Sequence, residues 1–141
     1  MLYENNLPLR KRVAKISNTK SIEVAECATV FMVTNATGGA YIVSLPSAAN
    51  AGAGWNCSFI VAQAASMDNT VEIKSGDGAD SMAVVMSHGA TAADGESNIL
   101  AQSIKFAAAS KRGARIEVFT DGAKWYANAE GGAVATFSAH E

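Results

Sequence analysis

Residues 114–126 read Ala114-Arg115-Ile116-Glu117-Val118-Phe119-Thr120-Asp121-Gly122-Ala123-Lys124-Trp125-Tyr126, and this stretch decides the fold. In an extended chain successive side chains point to opposite faces, so Ile116 and Val118 share one side while Arg115, Glu117 and Phe119 share the other. Asp121-Gly122 then supplies a turn, because glycine tolerates positive φ, and Trp125 opens a second strand. This is the pattern of a β-hairpin with one face in a core.

The same alternation recurs along the chain. Residues 70–74 set Val71 and Ile73 against Thr70, Glu72 and Lys74; residues 81–87 align Met82, Val84 and Met86. Residues 55–62 align Trp55, Cys57, Phe59 and Val61, and residues 103–106 set Ile104 and Phe106 against Ser103 and Lys105. Residues 29–34 and 41–45 are near-continuous apolar runs rich in β-branched residues, which predicts strands buried on both faces. Residues 22–26 and 133–137 are weaker strand candidates. Pro46 ends a strand because it has no N–H for the ladder. Residues 47–51 and 62–66 each have room for a helical turn only. Eight or nine short strands predict an all-β fold, read as an antiparallel β-sandwich of jelly-roll type.

The chain has 141 residues, 49% of them hydrophobic and 17% charged, which suits one domain with a substantial core. Charge is unevenly placed. Arg10, Lys11, Arg12, Lys15 and Lys20 against Glu4 give the first twenty residues +4, and the remaining six basic and twelve acidic residues give −6. A basic N-terminal arm over residues 1–20, followed by an acidic β-domain over residues 21–141, is therefore expected. A net charge of −2 argues against a globally basic nucleic-acid binder. No apolar run approaches the roughly 20 residues of a membrane-spanning helix, and the N-terminus lacks the apolar stretch of a secretory signal. Neither nucleic acid nor a membrane is an expected partner.

Reactive groups are sparse. Cys27 and Cys57 lie 30 positions apart inside apolar runs, as small core residues or as a disulfide between adjacent strands. Asp77 and Asp80, separated by Gly78 and Ala79, can offer oxygens to a hard cation, but they equally suit a turn. Asp94 and Glu96 fall in a long polar loop over residues 88–97, the kind of segment that contacts partners. His88 and His140 are the only histidines and neither stands in a triad signature. Trp125 is expected either to pack on the core edge or, with Tyr126, to form a stacking platform for a glycan. An enzyme is not expected, nor a cofactor.

The order of the segments resembles bacteriophage virion β-domains. Residues 43–49 (Val-Ser-Leu-Pro-Ser-Ala-Ala), the glycines before Trp55 and the strand over 57–61 resemble a unit in which a strand ends at Leu-Pro and re-enters the sheet after small residues. Residues 70–73, 76–80 and 116–120, with Asp121-Gly122 and Trp125, continue that order, so the resemblance covers residues 28–129. Residues 87–102 depart from it by a longer insertion. The resemblance implies a capsid decoration (cement) protein on the virion exterior, binding the major capsid protein and forming a homo-oligomer, a trimer being the common solution. A receptor- or glycan-binding module of a tail fibre is the alternative. On this reading Leu7, Pro8 and Leu9 anchor the arm to capsid or a neighbouring subunit, and Arg10, Lys11, Arg12 and Lys15 supply charge complementarity.

Overall fold

The computed structural model describes residues 10–34, 39–64, 67–88, 99–108, 110–131 and 137–140. The chain is all-β, with twelve strands and little helix among these residues. In order they are β1 (Arg12–Ile16), β2 (Lys20–Ser21), β3 (Thr29–Val33), β4 (Tyr41–Ser44), β5 (Asn56–Val61) and β6 (Val71–Lys74). The second half adds β7 (Met82–His88), β8 (Ile99–Ala101), β9 (Ser103–Phe106), β10 (Arg115–Thr120), β11 (Trp125–Gly131) and β12 (Phe137–His140). A single helical turn, α1 (Ala48–Ala51), follows β4.

Two mixed sheets result. Seven strands lie in the order β1-β3-β5-β10-β11-β7-β8, and five in the order β12-β9-β6-β4-β2. The expected purely antiparallel pairing is corrected: β1·β3, β3·β5, β7·β11, β2·β4 and β4·β6 are all parallel. From β1 to β7 each strand falls in the sheet opposite to its predecessor. Parallel neighbours need a long crossover, commonly a helix. Here the crossover between β3 and β5 contains β4 of the other sheet, and the crossover between β4 and β6 contains β5, so the first half winds as a coil. Alternation in sequence reports which side of a strand is buried and carries nothing about strand direction, which is why the parallel order is not legible from it.

The inward faces follow the alternation closely. Phe31 and Val33 of β3, Cys57, Phe59 and Val61 of β5, Ile116 and Val118 of β10, and Met82 and Val84 of β7 are buried in one cluster with Tyr41, Val43, Val71, Ile73, Ile104 and Phe106 of the other sheet. Phe31 stacks on Phe59 at 5.4 Å, and Trp55 meets Trp125 edge-on at 5.5 Å and 89°. Three expectations change. β3 and β4 are buried on one face only, with Val30 and Met32 half-buried and Ile42 exposed. Residues 22–26 form no strand: Val24–Glu26 is a 3₁₀ turn closed by a capping box between Glu23 and Glu26. Ser103 is buried instead of facing out with Lys105, and its Oγ has no partner among the described residues.

The projecting arm is also corrected in part. Arg12–Ile16 is β1, paired in register with Thr29–Val33, because Ile16 buries its side chain and the chain must turn at 17–19 to place Lys20–Ser21 beside β4. Leu7, Pro8 and Leu9 lie outside the described residues. Of the weak strand expected over 133–137, residues 133–136 lie outside the described residues, and Phe137 belongs to β12.

Tyr41 ties the two sheets together. Its hydroxyl donates to Thr34 O at 2.6 Å, with Ile16 O at 3.2 Å, so one phenol holds the ends of β1 and β3 against β4. Burial pushes its pKa up to about 12, whereas an unfolded tyrosine ionises near 10. The native state therefore keeps a proton that the unfolded chain releases, and stability falls as pH rises from about 10 to about 12. Tyr41→Phe should lower the unfolding free energy near neutral pH by about 1–2 kcal/mol and make the alkaline loss shallower, read as urea midpoints between pH 7 and 12. A second check uses Gly76, where a Cβ would sit 2.6 Å from Leu45 O and Pro46 C. Gly76→Ala should lower the urea midpoint more than Gly78→Ala, which meets nothing within 4 Å.

Candidate functional site

The two sheets differ on their outward faces. In the five-stranded sheet the outward register runs Ile42, Glu72, Lys105, and beside it Ser44, Lys74. That is a solvated face, with opposite charges facing each other across strands. In the seven-stranded sheet one outward row runs Ala28, Asn56, Phe119, Tyr126, Ala83, Leu100, and the next runs Val13, Val30, Ser58, Glu117, Asn128, Val85. Val13 (63%), Val85 (48%), Leu100 (47%), Phe119 (46%) and Tyr126 (42%) are its most exposed apolar side chains. Among the described residues, only Val24 and Ile42 elsewhere are comparably exposed large hydrophobics. Clustering on one face, in place of scattering, marks a contact surface.

A groove of about 570 Å³ runs across this face, with Phe119, Tyr126 and Val85 on its apolar side and Lys11, Ser58 and Glu117 as polar wall. Lys11 lines both this groove and a smaller recess that includes Ala28, whose φ is 61°. Phe119 and Tyr126 are cross-strand partners with ring centroids 6.1 Å apart, tilted by 44°. Arg115 flanks the groove, donating to Glu130 at 3.0 Å with Glu117 at 3.8 Å, and these two carboxylates raise its pKa.

The hairpin tip fixes the aromatic pair. Asp121 Oδ1 accepts from the backbone N–H groups of Lys124 and Ala123, both at 2.8 Å, and Oδ2 accepts from the Tyr126 hydroxyl at 3.1 Å. The two backbone bonds, then Tyr126, pull the Asp121 pKa down, and the same contact raises that of Tyr126. Gly122 takes φ +94°, and its N–H donates to Thr120 Oγ1 at 3.0 Å. Thr120 O accepts from Gly54 N–H at 2.8 Å, so the tip is docked on the turn before β5.

Each residue singled out in the sequence has a place. Arg10, Lys11, Arg12 and Lys15 are exposed along the β1 edge, beside a small recess that includes Cys27 and Ala28. Trp125 is fully buried against Trp55, which removes it as a glycan platform; Tyr126, one position on, points outward. Asp77 serves α1: its Oδ2 accepts from Ala48 N–H at 2.9 Å and its own N–H donates to Ser75 Oγ at 2.9 Å. Asp80 sits in a turn at φ 56°, and no group of three or more potential metal ligands occurs among the described residues. Cys27 and Cys57 are free thiols, and burial, then the nearby Cys27 and Glu26, push the Cys57 pKa up. The backbone of His88 ends β7 and that of His140 ends β12. Asp94 and Glu96 lie outside the described residues.

Alternation alone turns Phe119 outward, but its register with Tyr126, Ala83 and Leu100 depends on which strands are neighbours. Val85 and Leu100 enter the face the same way.

Comparison with protein-family models, with curated proteins and with solved structures finds no match to this chain.

Asp121→Asn should return Tyr126 ionisation toward its ordinary range, read as the phenolate absorbance in an alkaline titration of the native protein. An unchanged titration would show that the Asp121 carboxylate does not hold the ring.

Proposed function

We propose that the chain is a virion structural protein that decorates the capsid exterior, with the two sheets facing each other as a sandwich and the seven-stranded sheet turned toward the major capsid protein. The observation that carries this reading is the gathering of Val13, Val85, Leu100, Phe119 and Tyr126 on one sheet face while the other sheet presents mainly charge. An apolar patch desolvates on contact, and Arg10, Lys11, Arg12 and Lys15 at its β1 end steer an acidic partner into register. The order of strands and turns in residues 28–129, resembling phage virion domains, supports the same assignment.

Such a role asks for a stiff body and a surface. Each copy bound to an assembled shell stabilises that state over the dissociated one by mass action, and repeated copies add along the particle. Homo-oligomers at quasi-threefold positions suit that geometry. The receptor- or glycan-binding alternative on a tail appendage now rests on the exposed Phe119–Tyr126 pair, with Trp125 excluded by burial.

The test is co-sedimentation of purified protein with phage capsids lacking it. Wild-type protein should pellet with capsids. Phe119→Glu should weaken occupancy at least tenfold, and Lys11→Glu with Lys15→Glu should weaken it mainly at low ionic strength. Binding unaffected by Phe119→Glu, or glycan binding lost on Tyr126→Ala, would displace this reading in favour of the alternative.

A further inference from the structure

We infer that the open edge of β1 accepts an extended, acidic segment of a partner protein as an added strand of the seven-stranded sheet. The capsid reading uses the outward face of that sheet. This inference concerns its edge and does not depend on that reading.

The backbone offers the template. β1 lies at the end of the sheet order, and β3 is its neighbour. Ile16 O accepts from Thr34 N–H at 2.9 Å. In a parallel pair a residue turns its N–H and C=O the same way, and the next residue turns both the other way. Arg12, Ala14 and Ile16 therefore face β3, while Val13 and Lys15 hold their N–H and C=O groups toward the free side. Neither makes a backbone hydrogen bond outside the sheet among the described residues. At five residues β1 is also the longest edge strand, against four in β12, three in β8 and two in β2. A row of such groups templates a further strand.

The side chains select its chemistry. Alternation puts Val13 and Lys15 on the outward side of β1 and Arg12 on the other. A recess of about 390 Å³, lined by Arg10, Lys11, Arg12, Cys27 and Ala28, opens at the N-terminal end of the strand. Arg12 is held there by its Nη1, which donates to Ala25 O at 3.0 Å. Glu26 is engaged by Lys20 at 3.0 Å and by Glu23 N–H at 2.8 Å, so its charge is balanced by Lys20. Carboxylates on either side of an added strand thus meet a cation.

The same charges exclude a second copy. Lysines on an edge discourage pairing with a like edge. An antiparallel match of two β1 strands with Val13 opposite Val13 would set Lys11 of each copy across from Lys15 of the other, and like charges directly opposite are unfavourable. An acidic strand turns that repulsion into attraction, so one set of residues rejects self-assembly and admits the partner.

The experiment uses the full-length chain and a labelled synthetic peptide, Thr-Glu-Val-Glu-Val-Glu-Thr, with binding read by fluorescence anisotropy and amide exchange by NMR. Saturating peptide should slow exchange at the Val13 and Lys15 amides about fivefold or more, and leave those of Ala14 and Ile16, already in the ladder, nearly unchanged. The same peptide N-methylated at two adjacent central residues, which blocks both its edges, should bind about tenfold more weakly. A peptide with Lys in place of Glu should not bind. Val13→Pro removes the edge donor where an edge strand tolerates proline, and should weaken binding about fivefold. Undiminished binding of the N-methylated peptide would mean that charge alone holds it. That result overturns the inference, as do unprotected Val13 and Lys15 amides, equal binding of the Lys peptide, or no binding of the acidic one. These readings on the unaltered chain decide the matter even if Val13→Pro fails to fold.

Discussion

Parallel strands cannot be joined by a tight turn, and the rest of this molecule follows from how that constraint is met. With no helix long enough to make a crossover among the described residues, the chain returns to its starting edge by way of the opposite sheet. Each of the first strands therefore falls in the sheet opposite to its predecessor. Phe31, Phe59, Val43 and Ile73 meet in one core because of that winding. The Tyr41 hydroxyl, reaching carbonyls at the ends of β1 and β3, links the two sheets.

The constraint also decides what remains outside. Winding β1, β3 and β5 side by side and adding β10, β11 and β7 produces a broad sheet whose outward rows bring together residues from every part of the chain. Val13 and Val85 are far apart in sequence yet share one face. The narrower sheet ends with charged outward positions at Glu72, Lys74 and Lys105. The fold thereby sets an apolar outward face on one sheet against a more charged one on the other. Asp77 caps a helical turn, Asp121 closes a hairpin, and the cysteines pack at and beside the core.

Much of this is legible in the amino-acid sequence, and what is not has one cause. The buried positions of β5, β6 and β10 follow from alternation, which directly reports the side that a strand buries. The hairpin at Asp121-Gly122 and the turn of helix after Ser47 are legible through local chemistry: a carboxylate that accepts from its own loop, and a hydroxyl that accepts from Asn50 N–H at 3.2 Å. Neighbour identity is not local, so the parallel pairs and the placement of Arg12–Ile16 as an edge strand leave no mark in the pattern. Trp125 shows the same limit at a single residue. A tryptophan after a turn has two reasonable places, and only the position of Trp55 in a neighbouring segment settles that it is buried.

The orientation of the protein on a particle tests the central claim most directly. A cryo-microscopy reconstruction of the virion should show the seven-stranded sheet against the shell, with Phe119 and Val85 at the contact and Ile42 directed to solvent. A reconstruction with the five-stranded sheet on the shell, or with no density for this chain on the capsid, would contradict the account.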